Sequence, residues 1–65
     1  MIFWIVTMNS LYLTQWNIGC VALDRELQKA FRYQSERDAE FVAKKVGGEV
    51  LKCRMGRNGL EVILE

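Results

Sequence analysis

The 65-residue sequence contains no histidine and no proline, and its two cysteines, Cys20 and Cys53, lie far apart. Without histidine the commonest general base is missing, and so are the Ser–His and Cys–His pairs that activate nucleophiles. Two thiols outside a CxxC spacing cannot close a structural zinc site. They read as reduced, mostly buried thiols of a cytosolic protein, with a disulfide between them as the alternative. Gly47-Gly48 and Gly56-Arg57-Asn58-Gly59 match neither a phosphate-binding loop nor a dinucleotide fingerprint. Asp24 and Glu26 lie close together, and Glu36, Asp38 and Glu40 cluster where carboxylates suit a helix start. No catalytic residue, metal ligand or cofactor is expected, and the chain is not expected to be an enzyme.

Charge is absent from residues 1–23, and all seventeen charged side chains lie between Asp24 and Glu65. An uncharged start lacks the basic region of a signal peptide. Asn9, Ser10, Thr14, Gln15 and Asn17 interrupt the roughly 20 apolar residues that a membrane helix needs. A soluble protein of the cytoplasm is therefore expected. The formal net charge of +1 argues against a strongly electrostatic partner such as bulk duplex DNA. At 51% hydrophobic residues the chain is too apolar for disorder, and its length makes residues 1–65 a single domain.

What is present reads as strands around one clear helix. Ile2 to Thr7 and Leu11 to Trp16 are rich in β-branched and aromatic residues, and Asn9-Ser10 between them predicts a two-residue hairpin turn. That turn would set Val6 opposite Leu13, Trp4 opposite Gln15 and Phe3 opposite Trp16. Residues 17–23 are a loop or an irregular strand. Asp24 then caps a short helix over Arg25 to Ala30, and Phe31-Arg32-Tyr33 alternates like a short strand. Ser35 followed by Asp38 resembles a capping box. Ala39, Val42, Ala43 and Val46 continue at the spacing of a buried helical stripe, with Lys44 and Lys45 in the last turn and Gly47-Gly48 as the stop.

Glu49 to Met55 and Leu60 to Glu65 flank Asn58-Gly59, a strong hairpin signal. A turn there sets Met55 opposite Val62, Arg54 opposite Ile63, Cys53 opposite Leu64 and Lys52 opposite Glu65. Leu51, Cys53, Met55, Leu60, Val62 and Leu64 then share an apolar face. The expected fold is α+β, in the order β-β-(short α)-β-α-β-β: a small, mainly antiparallel sheet with the main helix on one face.

If the helix covers the Leu51/Cys53 face, the other face carries Phe3, Ile5, Tyr12, Thr14, Trp16, Lys52, Arg54 and Ile63. In one reading the short helix and residues 17–23 fold over it and complete an ordinary core. In another it meets a second copy, as a homodimer, or a different protein. In a third, the aromatics with Lys52 and Arg54 form a small nucleic-acid-binding platform. Phe41 points away from the helical stripe, among Arg37, Lys44 and Lys45, either as a lone aromatic along lysine stems or as an interface anchor. The candidate partner-binding residues are thus Phe3, Tyr12, Trp16, Phe41, Arg54 and Ile63.

Five stretches carry a resemblance: Trp4-Ile5-Val6-Thr7, Leu11-Tyr12-Leu13, Ala30-Phe31-Arg32-Tyr33, the Ser35–Glu40 helix start, and Lys44 through Val50. Together they resemble a group of short phage and prophage proteins, over about residues 3–53. The hairpin from Cys53 to Glu65 extends beyond that pattern. The resemblance implies a phage accessory protein of the bacterial cytoplasm that binds a host enzyme or defence complex stoichiometrically and disables it, as anti-CRISPR proteins do. It brings no binding residues with it.

Overall fold

The computed structural model describes residues 1–17 and 19–63. Strands β1 (Ile2–Met8), β2 (Leu11–Asn17) and β3 (Cys20–Asp24) come first, followed by a 3₁₀ turn at Leu27–Lys29. Helix α1 (Glu36–Val46) and strands β4 (Glu49–Gly56) and β5 (Gly59–Val62) complete the chain. The α+β class is as expected: five antiparallel strands in the order β3-β2-β1-β4-β5, with one α-helix. The element order is not. The third strand precedes the short helical turn, within the stretch read as loop or irregular strand. Among the described residues no helix is long and apolar enough to cross a membrane.

The first hairpin turns where expected, with Thr7 opposite Tyr12 and Met8 opposite Leu11. Asn9 and Ser10 both take left-handed φ, 50° and 68°, as a tight hairpin turn demands. The expected pairing stops there. Beyond Tyr12 the strands part, and the chain at 31–33 enters the fork. Trp4 and Tyr33 exchange both main-chain hydrogen bonds at 2.8 Å, and the Phe31 N–H donates to the Leu13 carbonyl at 2.9 Å. Trp4 therefore faces Tyr33 and not Gln15, and the Phe3–Trp16 pair does not form. The expected strand Phe31–Tyr33 is reduced to this one bridge.

At the second hairpin the pairing is Gly56 with Gly59, Met55 with Leu60, Arg54 with Glu61 and Cys53 with Val62. The register is two residues away from the expected one, because Arg57-Asn58 forms the turn. Neither Arg57 nor Asn58 takes positive φ; Gly59, the first residue of β5, does, at 104°. A slip of two preserves the faces, so Cys53 and Leu60 remain together and buried, although Met55 is exposed. The expected Cys53–Leu64 and Lys52–Glu65 pairs involve positions outside the described residues. The charge pair seen is Arg54 Nε to Glu61 Oε2 at 3.5 Å; in this exposed position it adds little.

Both faces of the sheet are covered. Phe3 lies opposite Cys53 and Ile5 opposite Leu51. These residues form a core with Ala30 and Leu60, joined by Tyr12, Leu27 and Val62. The 3₁₀ turn covers this side. Helix α1 covers the other, where Ala39, Val42 and Ala43 pack on Val6 and Leu13, with Trp4, Leu23, Val46 and Val50 around them. The helix therefore sits on the Trp4/Val6 face and not on the Leu51/Cys53 face. The reading in which the short helix and residues 17–23 complete an ordinary core holds only in part. The short helical turn does cover a sheet face, but it is the Leu51/Cys53 face, and residues 20–24 form the edge strand β3 instead of folding over a face. Fully burying side chains such as Ile5, Val6 and Leu13 is worth about 1.5–3 kcal/mol each.

Ser35 is the N-cap of α1, but its side chain makes no capping hydrogen bond, so the expected capping box is not closed. The helix ends as expected, with Gly47 left-handed at φ 74° and its N–H bonded to the Ala43 carbonyl.

Candidate interaction groove

The alternation of β2 breaks at Thr14. Its pairing with β3 shifts between Leu13–Leu23 and Gln15–Ala22, the signature of a β-bulge, and the Thr14 hydroxyl donates to the Ala22 carbonyl at 3.2 Å. Simple alternation would place Trp16 on the same side as Tyr12. The extra residue turns it to the helix side, where it joins the core under α1.

There Trp16 meets Phe41. The rings stand edge to face, 6.1 Å apart with an interplanar angle of 89°. The Lys45 ammonium lies 5.3 Å from the Phe41 ring centre, within reach of a cation–π attraction. Phe41 thus lies against a lysine, as one reading held, yet it is not a lone aromatic. It is 54% exposed on its outer side.

The 31–33 segment supplies the opposite wall. Phe31 and Tyr33, two residues apart on an extended backbone, hold their rings 4.7 Å apart at 59°, and Phe31 is about half exposed. Between this pair and the Trp16–Phe41 pair runs an open groove of about 460 Å³, floored by Val42 and edged by Gln15, Asn17 and Asp38. A second hollow beyond Trp16 and Phe41 continues it to Val21, Cys20 and Lys45. Burial, with the nearby Asp38 carboxylate as the smaller cause, holds the Tyr33 phenol above its ordinary pKa of 10.0. The Tyr33 hydroxyl is therefore a neutral donor at physiological pH.

The six candidate residues do not form one surface. Phe3 is buried in the core beneath the 3₁₀ turn, and Tyr12 packs against that core. Arg54 is exposed on β4, paired with Glu61. Ile63 donates its N–H to the Lys52 carbonyl, beside Trp4, Glu36 and Glu40. Only Trp16 and Phe41 come together. Sequence reasoning missed Phe31, Tyr33 and Val21 as their neighbours. The signal for the first two was the Phe-x-Tyr alternation, which was read as a strand and not as a wall.

The groove offers aromatic faces, one cation and one carboxylate at its margins. Burial pushes the Cys53 thiol above its ordinary pKa of 9.0, which disfavours a nucleophilic thiolate. Among the described residues no group of three or more His, Cys, Asp or Glu side chains could hold a metal ion. In comparisons with known proteins, the chain matches no family model, no curated protein and no solved structure.

Proposed function

We propose that this protein acts stoichiometrically, by binding another protein in the groove walled by Trp16, Phe41, Phe31 and Tyr33. The observation that carries the reading is the grouping of four aromatic side chains on one surface of so small a domain. Apolar surface left open on a small domain, rimmed by polar groups, favours a protein partner. Aromatic side chains are also the residues on which interface energy concentrates. The resemblance to phage proteins supplies the setting: a bacterial cytoplasm, with a host enzyme or defence complex as target and inhibition as the outcome.

The nucleic-acid alternative needs Phe3, Tyr12, Trp16, Lys52 and Arg54 on one open sheet face. With the 3₁₀ turn over one side and α1 over the other, the sheet keeps no such platform, which favours the protein partner.

The test is partner capture by the wild-type chain against Phe31→Ala and Phe41→Ala, with circular dichroism as the fold control. Losing an anchoring aromatic costs about 2 kcal/mol, roughly thirtyfold in affinity. A partner held equally by all three proteins would remove the groove from the proposal.

A further inference from the structure

The two edges of the sheet are treated in opposite ways. On the β5 edge the Gln28 side chain takes the place of another strand. The Leu60 N–H donates to Gln28 Oε1 at 2.8 Å, and Gln28 Nε2 donates to the Leu60 carbonyl at 3.1 Å. One primary amide thus satisfies both main-chain groups of Leu60, as a residue on a neighbouring strand would. Strand β3 ends the hydrogen-bonded order on the other side. Cys20 is exposed and Val21 is 47% exposed.

Natural edge strands are defended by charge, by proline or by a covering element. Residues 20–23, Cys-Val-Ala-Leu, carry neither charge nor proline, and Asp24 at the end of β3 turns its carboxylate to the Glu26 N–H at 2.8 Å. We propose that β3 pairs antiparallel with β3 of a second copy, joining two five-stranded sheets into one of ten strands.

Three features select a second copy as the occupant. The uncharged stretch 20–23 can meet itself across a two-fold axis without bringing like charges together. The Asp24 carboxylate at its end is taken up by the Glu26 N–H and lies 3.9 Å from the Lys29 ammonium. A pairing centred on Ala22 would set Val21 against Leu23 of the second copy, and Cys20 against its Asp24. The Gln28 cap on Leu60 disfavours strand addition at β5, which favours a closed two-fold dimer over continued growth. The exposed apolar side chains also continue across the seam, because Val21 lies opposite Trp16 and lines the same hollow as Phe41. The contact is small, so a dissociation constant in the micromolar range is expected.

The experiment is light scattering on the full chain from about 1 μM to 1 mM, a range set to span that affinity. The expected result is a shift from 7.6 kDa towards twice that mass. Val21→Lys, which places a cation on each side of the seam, should raise the dissociation constant at least about tenfold with unchanged circular dichroism. Met55→Lys, exposed on another strand, should leave it unchanged. Phe31→Ala should also leave the mass unchanged, since the inference stands apart from the groove reading. A monomer at every concentration overturns it, as does a dimer indifferent to Val21→Lys. So does a mass that grows past two copies.

Discussion

Replacing Gln28 with alanine removes both hydrogen bonds to Leu60 while leaving the 3₁₀ backbone able to form. A net hydrogen bond contributes about 0.5–1.5 kcal/mol, so the pair amounts to about 1–3 kcal/mol. A chain of this length has a total stability of only about 3–10 kcal/mol. For domains this small each kcal/mol moves the midpoint by about 4–8 °C. Gln28→Ala should therefore lower Tm by about 4–24 °C, measured by calorimetry at one fixed protein concentration. The concentration must be fixed because self-association would itself shift Tm. Gln28→Glu sharpens the test. Its carboxylate can still accept from the Leu60 N–H, but it sets a charged oxygen against the Leu60 carbonyl. Protonation restores a donor, so the Gln28→Glu deficit should shrink as pH falls below the folded-state pKa, which the facing carbonyl raises. This charge-dependent part should be gone below about 4.3. A Gln28→Ala protein melting within about 2 °C of wild type would correspond to less than half a kcal/mol. That result would refute the idea that this amide closes the β5 edge.

Further outcomes follow from the turn, the thiols and the groove. Ser10 holds φ 68° without the freedom of glycine, so Ser10→Gly should raise stability by about 0.5–1 kcal/mol in denaturant titration. Of the two thiols, Cys20 is exposed and Cys53 buried; a thiol reagent should modify one group quickly, and Cys20→Ser should abolish that fast phase. Folding holds the Tyr33 proton on above the ordinary pKa of 10.0. Stability from this source is full below pH 10 and falls as pH rises through the folded-state pKa. Cys53, raised by burial from 9.0, acts with the same sign from a lower pH. Tyr33→Phe should therefore weaken the alkaline loss of stability and leave the Cys53 part, as followed by urea midpoints between pH 8 and 11.

Much of this fold is legible in local chemistry. The stripe Ala39, Val42, Ala43 and the Gly47 stop define α1 because each signal acts within a turn or two of itself. The Asn9-Ser10 turn is equally local. At the second hairpin the faces were legible but the register was not, since a two-residue slip leaves every side chain on the same side. The groove was the hardest part to read. Trp16 reaches Phe41 only through the extra residue at Thr14, and a bulge leaves no period in the sequence. Phe31 and Tyr33 reach it only because β1 and β2 part, and Trp4 shows no local preference for Tyr33 over Gln15.

The position of β1 has a consequence during synthesis. Its full-length neighbour is β4, with Ile2 opposite Arg54 and Thr7 opposite Glu49. About 40 residues separate the two strands, some 2–8 s of translation at 5–20 residues per second. The β2–β3 hairpin has its parts in that interval, while an uncharged strand, apolar on both faces, waits with one side unpaired. Such a segment is prone to pair with the wrong chain while it waits. The yield of native protein in a cell should thus depend on how long β1 waits for β4, as well as on the stability of the finished domain.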